Sequence, residues 1–309
     1  MNLNDPELLA FLAGSVRLAL PIAFAAVGEL VSERAGVLNV GLEGTMLTGA
    51  FAGALGADAT GSPVAGLICG LLAAVLFAAF QGGFMITLGA NQLVLGIAAS
   101  TFALGLTTFL SREFLPQDKT GTLPSFGVVE IPLLHDIPLI GPALFEQSAL
   151  AYIGLGLVAL TLWVLTRTGW GLAIRAAGDD ARSADRAGSP VSLVRWIAVL
   201  WAGLMAGLGG VFLALADIHG FTENMTAGRG YLALGAVIAG SWIGWRVVVA
   251  CLVFGAAIAL QFQAAGLGLE MPVALLVMAP YVIAVIAVAS LAGRSRMPAD
   301  LTVPFSRGR

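Results

Sequence analysis

The chain has 309 residues, 59% of them hydrophobic and 11% charged, with a formal net charge of −3. A soluble domain carries about 25% charged residues, so this composition excludes an ordinary soluble globule and specifies a polytopic α-helical membrane protein. Lys119 is the sole lysine among 15 basic residues, and no basic patch interleaved with aromatics occurs, which excludes nucleic acid as a partner.

Nine apolar runs follow one another, at roughly 8–30, 40–58, 63–88, 90–111, 149–167, 193–216, 230–245, 247–265 and 271–292. The expected fold class is therefore all-α: one transmembrane helical bundle over 1–309, with about nine spans and eight to ten tolerable. Mean hydropathy is +0.95, and 40 glycines suit close helix packing in lipid. Asp5 and Glu7 precede the first run where a secretory signal has positive charge, so that run is expected to stay in the mature protein. Arg17 is stranded in mid-run and should face protein or water. Cys69 and Cys251 fall inside apolar runs and read as small buried residues.

The seventh run is short, and Gln81-Gly82-Gly83 interrupts the third. Residues 112–148 are rich in proline and acids and cannot lie in lipid, where their backbone groups would go unpaired, so a folded external cap is expected there. Arginine distribution sets the orientation. Arg34, Arg167, Arg175, Arg182, Arg186, Arg195, Arg246, Arg294, Arg296, Arg307 and Arg309 fall on one side, against Arg112, Lys119 and Arg229 on the other. Cytoplasmic loops retain positive charge, so the N-terminus is expected outside and the C-terminus inside.

Several chemistries are missing. No G-x-x-x-x-G-K-[ST] surrounds the one lysine, no H-E-x-x-H or G-x-S-x-G occurs, and His135 and His219 are far apart in predicted external loops. No enzyme site and no metal site is expected. The inner loop, 168–192, contains "GDDARSADRAGSPV": Gly178 ends one helix, Asp179 caps a short second one, and Pro190 stops it. On that helix Ala181, Ala184 and Gly188 share a face beside Arg182 and Arg186. A smooth small-residue face flanked by charge suits a groove on a partner; the alternative is a solvated loop that only sets topology.

"RAAGDDARSADRAGSPV" resembles the cytoplasmic loop of permease subunits in ATP-binding-cassette (ABC) importers for nucleosides, simple sugars and branched-chain amino acids. "ERAGVLNVGLEGTMLTGA" and "GANQLVLGIAAS" are similar to motifs of the nucleoside and sugar branch, and "FTENMTAGRGYLALGAVIAGSW" with "APYVIAVIAVASLAGRSRMP" resembles the second of two paired permeases. Asp180 stands where that family often has Asn, and Ser189 where it often has Ile; 112–148 carries no resemblance. The resemblance implies a type II importer permease in a bacterial inner membrane. It implies an ABC ATPase that binds ATP and magnesium, a second related permease and an extracytoplasmic substrate-binding protein as partners. It makes 179–188, with Asp179, Asp180, Ala181, Arg182, Ala184, Arg186 and Gly188, the helix that docks on the ATPase. A bulky residue at Gly188 is then expected to uncouple transport from ATP hydrolysis.

Charge near the membrane supplies further candidates. Glu33 and Arg34 sit between the first two spans, whereas Glu43 lies a few residues into the second, where a lipid-facing carboxylate costs about 2.5–3.5 kcal/mol near the bilayer centre. Gly36, Gly41 and Gly44 around Asn39 permit a broken helix. Two readings stand: a discontinuous element beside the translocation pathway, with Asn39 and Glu43 offering hydrogen bonds, or a structural clamp between helices one and two. Asn91 and Gln92 suit sugar hydroxyls or base edges, with helix capping by Asn91 as the alternative. Phe102 and Phe221 either stack on a nucleobase or pack. Glu223, Asn224 and Arg229 either shape the outer mouth and meet the binding protein or form a salt-bridged loop. Glu29 reads as too near the interface to be an ion-coupling acid, which leaves Glu43 for an ion-coupled alternative.

Overall fold

The computed structural model describes residues 6–115, 122–130, 140–264, 272–290 and 297–306. Helix α1 is Pro6–Arg34, α2 Leu42–Thr60 and α3 Pro63–Gly82, which runs on as a π-helical turn over Gly83–Thr87. Then come α4 (Gln92–Phe114), strand β1 (Val128–Glu130), α5 (Ile140–Phe145), β2 (Glu146–Ser148) and α6 (Ala149–Arg167). The short helices α7 (Gly169–Asp179) and α8 (Ala181–Arg186) precede α9 (Val191–Phe212), which also ends in a π-helical turn, Leu213–Asp217. Last are α10 (Arg229–Ala239), α11 (Gly244–Gln263) and α12 (Val273–Ser290).

Among the described residues, six helices are long and apolar enough to cross a membrane: α1, α3, α4, α6, α9 and α11. The seventh apolar run, expected as a span over 230–245, is helical only over Arg229–Ala239. Eleven residues rising 1.5 Å each cover about 16 Å, half of a ~30 Å hydrocarbon core. The first helix continues past the expected end at residue 30, so Glu33 and Arg34 belong to its last turn. The bundle is all-α as expected, and beside it β1 and β2 form one short antiparallel pair, Val128 opposite Ser148 and Glu130 opposite Glu146. This small sheet closes part of the 112–148 region. Lys119 and His135 lie outside the described residues, as do Arg294, Arg296, Arg307 and Arg309.

Helices α1, α2 and α9 form the centre: α1 packs on α9 and α11, and α2 on α3 and α9. The outer helices turn apolar side chains outward, including Leu76, Phe109 and Val285, as lipid contact requires. Cys251 is buried as expected, but Cys69 is exposed on this outer surface. Between the central helices the approach is backbone to backbone: a Cβ placed on Gly49 of α2 would lie 2.8 Å from Gly207 Cα of α9. With no hydrophobic drive between helices in lipid, such close packing is the main source of cohesion.

Gly49→Ala is therefore expected to lower the melting temperature in detergent, with overpacking costing about 1–3 kcal/mol. Gly105→Ala, where a Cβ meets nothing within 4 Å, should leave it unchanged or slightly raised. Equal melting temperatures for the two variants would show that α2 and α9 can separate without loss.

Candidate functional site

Helix α1 stops because Gly36 takes a left-handed φ of 91°. Gly36 N–H then donates to Glu33 O and Val37 N–H to Ser32 O, a Schellman closure. The chain turns back into the bundle, and its backbone from 37 to 41 belongs to no helix. Side chains satisfy it instead. Leu38 N–H donates to Gln92 Oε1 at 2.8 Å and Asn39 N–H to Glu29 Oε1 at 2.7 Å. Gln81 Nε2 donates to Thr45 Oγ1, whose hydroxyl donates in turn to Gly41 O. Glu29, Glu33, Asn39 and Gln81 are all fully buried. Among the described residues, both side-chain atoms of Asn39, Glu29 Oε2 and Gln81 Oε1 are buried without a protein partner. This seam therefore holds hydrogen-bonding capacity that the chain itself does not use.

Glu43 completes the seam. Its Oε1 accepts from the Thr226 hydroxyl at 2.6 Å and from Gly228 N–H at 2.8 Å, while Oε2 accepts from Gly230 N–H at 2.6 Å. These amides are at the N-terminus of α10, where the unpaired N–H groups and the helix dipole favour a carboxylate. Glu43 thus neither snorkels nor faces lipid; it joins the start of α2 to the start of a half-length helix. Gly228 permits the approach with φ 81°. At the other end of α10 the turn holds Ser241 and Trp242 at φ 50° and 57°. Arg34 donates twice to Trp242 O, and the Trp242 indole donates to Glu33, so the last turn of α1 fixes this strained reversal.

The remaining candidates are spread out. Asn91 is exposed and caps α4, accepting from Leu93 and Val94 N–H at 3.1 Å. Phe102 is exposed on the outer surface of α4, away from the seam. Phe221 packs edge-on against Phe51. Glu223 pairs with Arg112, Nε to Oε1 at 2.6 Å. Asn224 lies in the same exposed turn with φ 56°. Arg229 donates to the Met225 and Thr226 carbonyls, closing the turn that presents amides to Glu43 rather than pairing with Glu223. Beside this end, a polar cleft of about 480 Å³ is lined by Arg17, Ser125, Glu146, Asp217 and His219 among others. Arg17 meets Asp217 there at 3.1 Å.

Helices α7 and α8 lie at the opposite, arginine-rich end. Thr168 caps α7. Asp180, rather than Asp179, caps α8: it accepts from Ser183 N–H at 2.9 Å and from the Ser183 hydroxyl at 2.6 Å, which holds its carboxyl below the ordinary value. Asp179 is exposed at the end of α7. Ser189 N–H donates to Ala184 O and Gly188 N–H to Asp185 O, so Gly188, at φ 88°, ends α8 by a second Schellman closure. The small face expected to meet a partner is turned inward, because Ala181 and Ala184 are buried. What α8 exposes is Arg182, Ser183, Arg186, Ala187 and Gly188. An apolar groove of about 670 Å³ runs alongside, between Trp170, Ala173 and Ala176 of α7 and Ala184, Ala187 and Pro190.

Sequence reasoning missed Thr226 and Asp300, placed Glu29 near the interface, and counted Arg195 only among the arginines that set orientation. Glu29 precedes Glu33 by one helical turn, a spacing that puts two acids on one face, but only the fold shows that this face points inward.

The family described as branched-chain amino acid transport system / permease component matches residues 11–288. The putative glucose ABC transporter permease protein TsgC13 of Haloferax volcanii is 36% identical over 85% of this chain and 81% of that one. The guanosine ABC transporter permease protein NupQ of Bacillus subtilis is 33% identical over 94% of each chain. The nucleoside ABC transporter permease protein NupC of Lactococcus lactis is 32% identical over 90% of each.

Glu43→Ala is expected to leave three buried donors without an acceptor and to cost about 3 kcal/mol or more, read as a fall in melting temperature in detergent. Glu43→Gln, which keeps one carbonyl oxygen for the Thr226 hydroxyl and Gly228 N–H, should lose roughly half as much. An unchanged melting temperature for the alanine variant would show that α10 does not depend on this carboxylate.

Proposed function

We propose that this chain, which belongs to the family of branched-chain amino acid transport system permease components, forms half of the membrane pathway through which an ABC importer takes up nucleosides. It is a multi-pass membrane permease, and its family is one of transporter subunits rather than enzymes. As such it works with an ATPase and a substrate-binding protein. The reading adds a second, related permease opposite this one, and it leaves ATP and magnesium to the ATPase.

The observation that carries the substrate class is the occupied N-terminus of α10. Half-helix N-termini in transporters commonly point at an anionic group of the substrate. Here Glu43 of the same chain takes that position, and the seam beside it offers the neutral carboxamides of Asn39 and Gln81. A helix N-terminus already filled by a carboxylate suits an uncharged solute. The full-length similarity to guanosine and nucleoside permeases points the same way. A simple sugar is the second reading, favoured by the similarity to a putative glucose permease. An ion-coupled mechanism is less well supported, because three hydrogen bonds commit Glu43 to holding two elements together.

We assign nine crossings, the seventh built from the irregular chain 218–228 and the half-helix α10. Glu223 meets Arg112 at one end, while Trp242 meets Arg34 at the other. By the arginine bias this puts the N-terminus outside and the C-terminus in the cytoplasm of a bacterial inner membrane. Docking of α8 falls to its exposed face, with Arg182, Arg186 and the groove beside Ala187. ATP binding would close the ATPase pair, move α7 and α8, and open the bundle toward the binding protein.

The test is uptake of labelled nucleosides into proteoliposomes, with ATP inside and binding protein outside. Uptake is expected only in the complete, ATP-loaded system; uptake by this chain alone under an ion gradient would overturn the reading, and uptake of glucose in preference to nucleosides would select the second. Gly188 is a poor site for testing docking, because any side chain there is strained by the positive φ. Ala187→Trp adds bulk without that strain. It is expected to lower transport at least about tenfold, with the folded chain intact by melting temperature.

A further inference from the structure

The arginine-rich end contains a connection that neither α8 nor the seam explains alone. The C-terminal segment 297–306 lies across both. Asp300 Oδ2 accepts from Ala181 N–H, the first residue of α8, at 2.8 Å. Asp300 N–H donates to Gly178 O at 2.8 Å and Thr302 N–H to Gly36 O at 3.1 Å. One segment thus bonds to the end of α7, the start of α8 and the glycine where α1 turns into the seam. Arg195 of α9, itself buried, reinforces the same junction. Its Nε donates to Ala35 O at 3.1 Å and its Nη1 to Val303 O at 2.8 Å. Leu301 and Phe305 pack on the hydrophobic core, which seats the segment. Helix α8 has six residues and, among the helices, packs chiefly on its neighbours α7 and α9. Its cross-chain hydrogen bond at the N-terminus therefore comes from Asp300.

We propose that segment 297–306 is a strap that transmits movement of α8 to the 35–43 seam, with Asp300 and Arg195 as its positioning residues. The route is short. A displacement of α8 pulls on Asp300; Thr302 and Arg195 pass it to Gly36 and Ala35; the chain from there to Glu43 carries it to the starts of α2 and α10. The inference rests on the reading of α8 as the element that docks on the ATPase.

The experiment uses the complete transporter in proteoliposomes and reads solute taken up per ATP hydrolysed. Asp300→Ala is expected to lower that ratio about fivefold while hydrolysis stays within about twofold of the unaltered complex. Asp300→Asn keeps an oxygen that accepts from Ala181 N–H, and it should restore most of the ratio, a rescue that lost packing alone would not produce. An unchanged ratio in Asp300→Ala, or equal losses in both variants, overturns the strap. Ala187→Trp is measured alongside: if it transports normally, the docking reading fails; if it is uncoupled while Asp300→Ala is normal, only the strap fails. A second measurement does not depend on altering the strap's own bonds. Spin labels at exposed Arg186 and Val303, in a Cys69→Ser background, report the distance from α8 to the strap with and without nucleotide. A distance that holds to within about 2 Å while α8 moves relative to a label at Phe102 supports the strap, and separation of the first pair by more than that overturns it.

Discussion

A backbone that leaves its helix inside a bilayer finds no water to bond with, and each unmet amide or carbonyl there costs several kcal/mol. This chain leaves a helix at Gly36 and does not resume one until Leu42. Everything near that gap reads as an answer to the cost. Glu29, Gln81 and Gln92 come from three different helices to meet the free backbone or brace it, and Glu43 satisfies a second set of free amides where α10 begins. Two interrupted segments are thereby joined through one carboxylate. A carboxylate so deep is tolerable because its three donors replace the water it lost.

Glycine makes that arrangement possible in a second way. The seam needs α2 to run through the interior, and α2 is buried along most of its length. Backbone contact at Gly49 and Gly207 draws α2 onto α9; larger side chains there would push the helices apart and pull the seam's hydrogen bonds out of reach. Polar bonding and small-residue packing are thus one device: the bonds require short distances, and the glycines allow them.

At the arginine-rich end the same economy appears on a smaller scale. Two Schellman closures, at Gly36 and Gly188, end α1 and α8 sharply, and capping by Asp180 starts α8 directly after α7. Sharp ends keep α8 short and well defined, with its alanines packed inward and its arginines outward. On the proposed docking reading, an element of that kind would move as a unit, as conversion of ATPase closure into a membrane rearrangement requires.

Much of this was legible in the residues. Apolar runs located the helical bundle, including the six helices that are long and apolar enough to cross a membrane among the described residues, because a membrane helix must be apolar over its length whatever it packs against. Gly36, Gly41 and Gly44 around Asn39 marked the broken segment, and Pro190 marked the stop after α8, whereas the closure at Gly188 itself was seen only in the fold. Partners were not legible. Glu43 read equally as pathway or clamp until Thr226 and Gly228, more than 180 residues away, were placed against it. The alanines of α8 read as a free face until α7 and α9 covered them, and Glu29 read as interfacial because the glycines show that the chain breaks at 36–41 but not that it folds back onto Glu29. By itself the sequence determined that the chain is a multi-pass helical membrane protein and where its apolar runs and its arginines lie, since those follow from composition and backbone chemistry over a few residues. Only the tertiary structure decided which buried charge meets which donor and which face of a helix is free, because those depend on contacts between segments far apart in the chain.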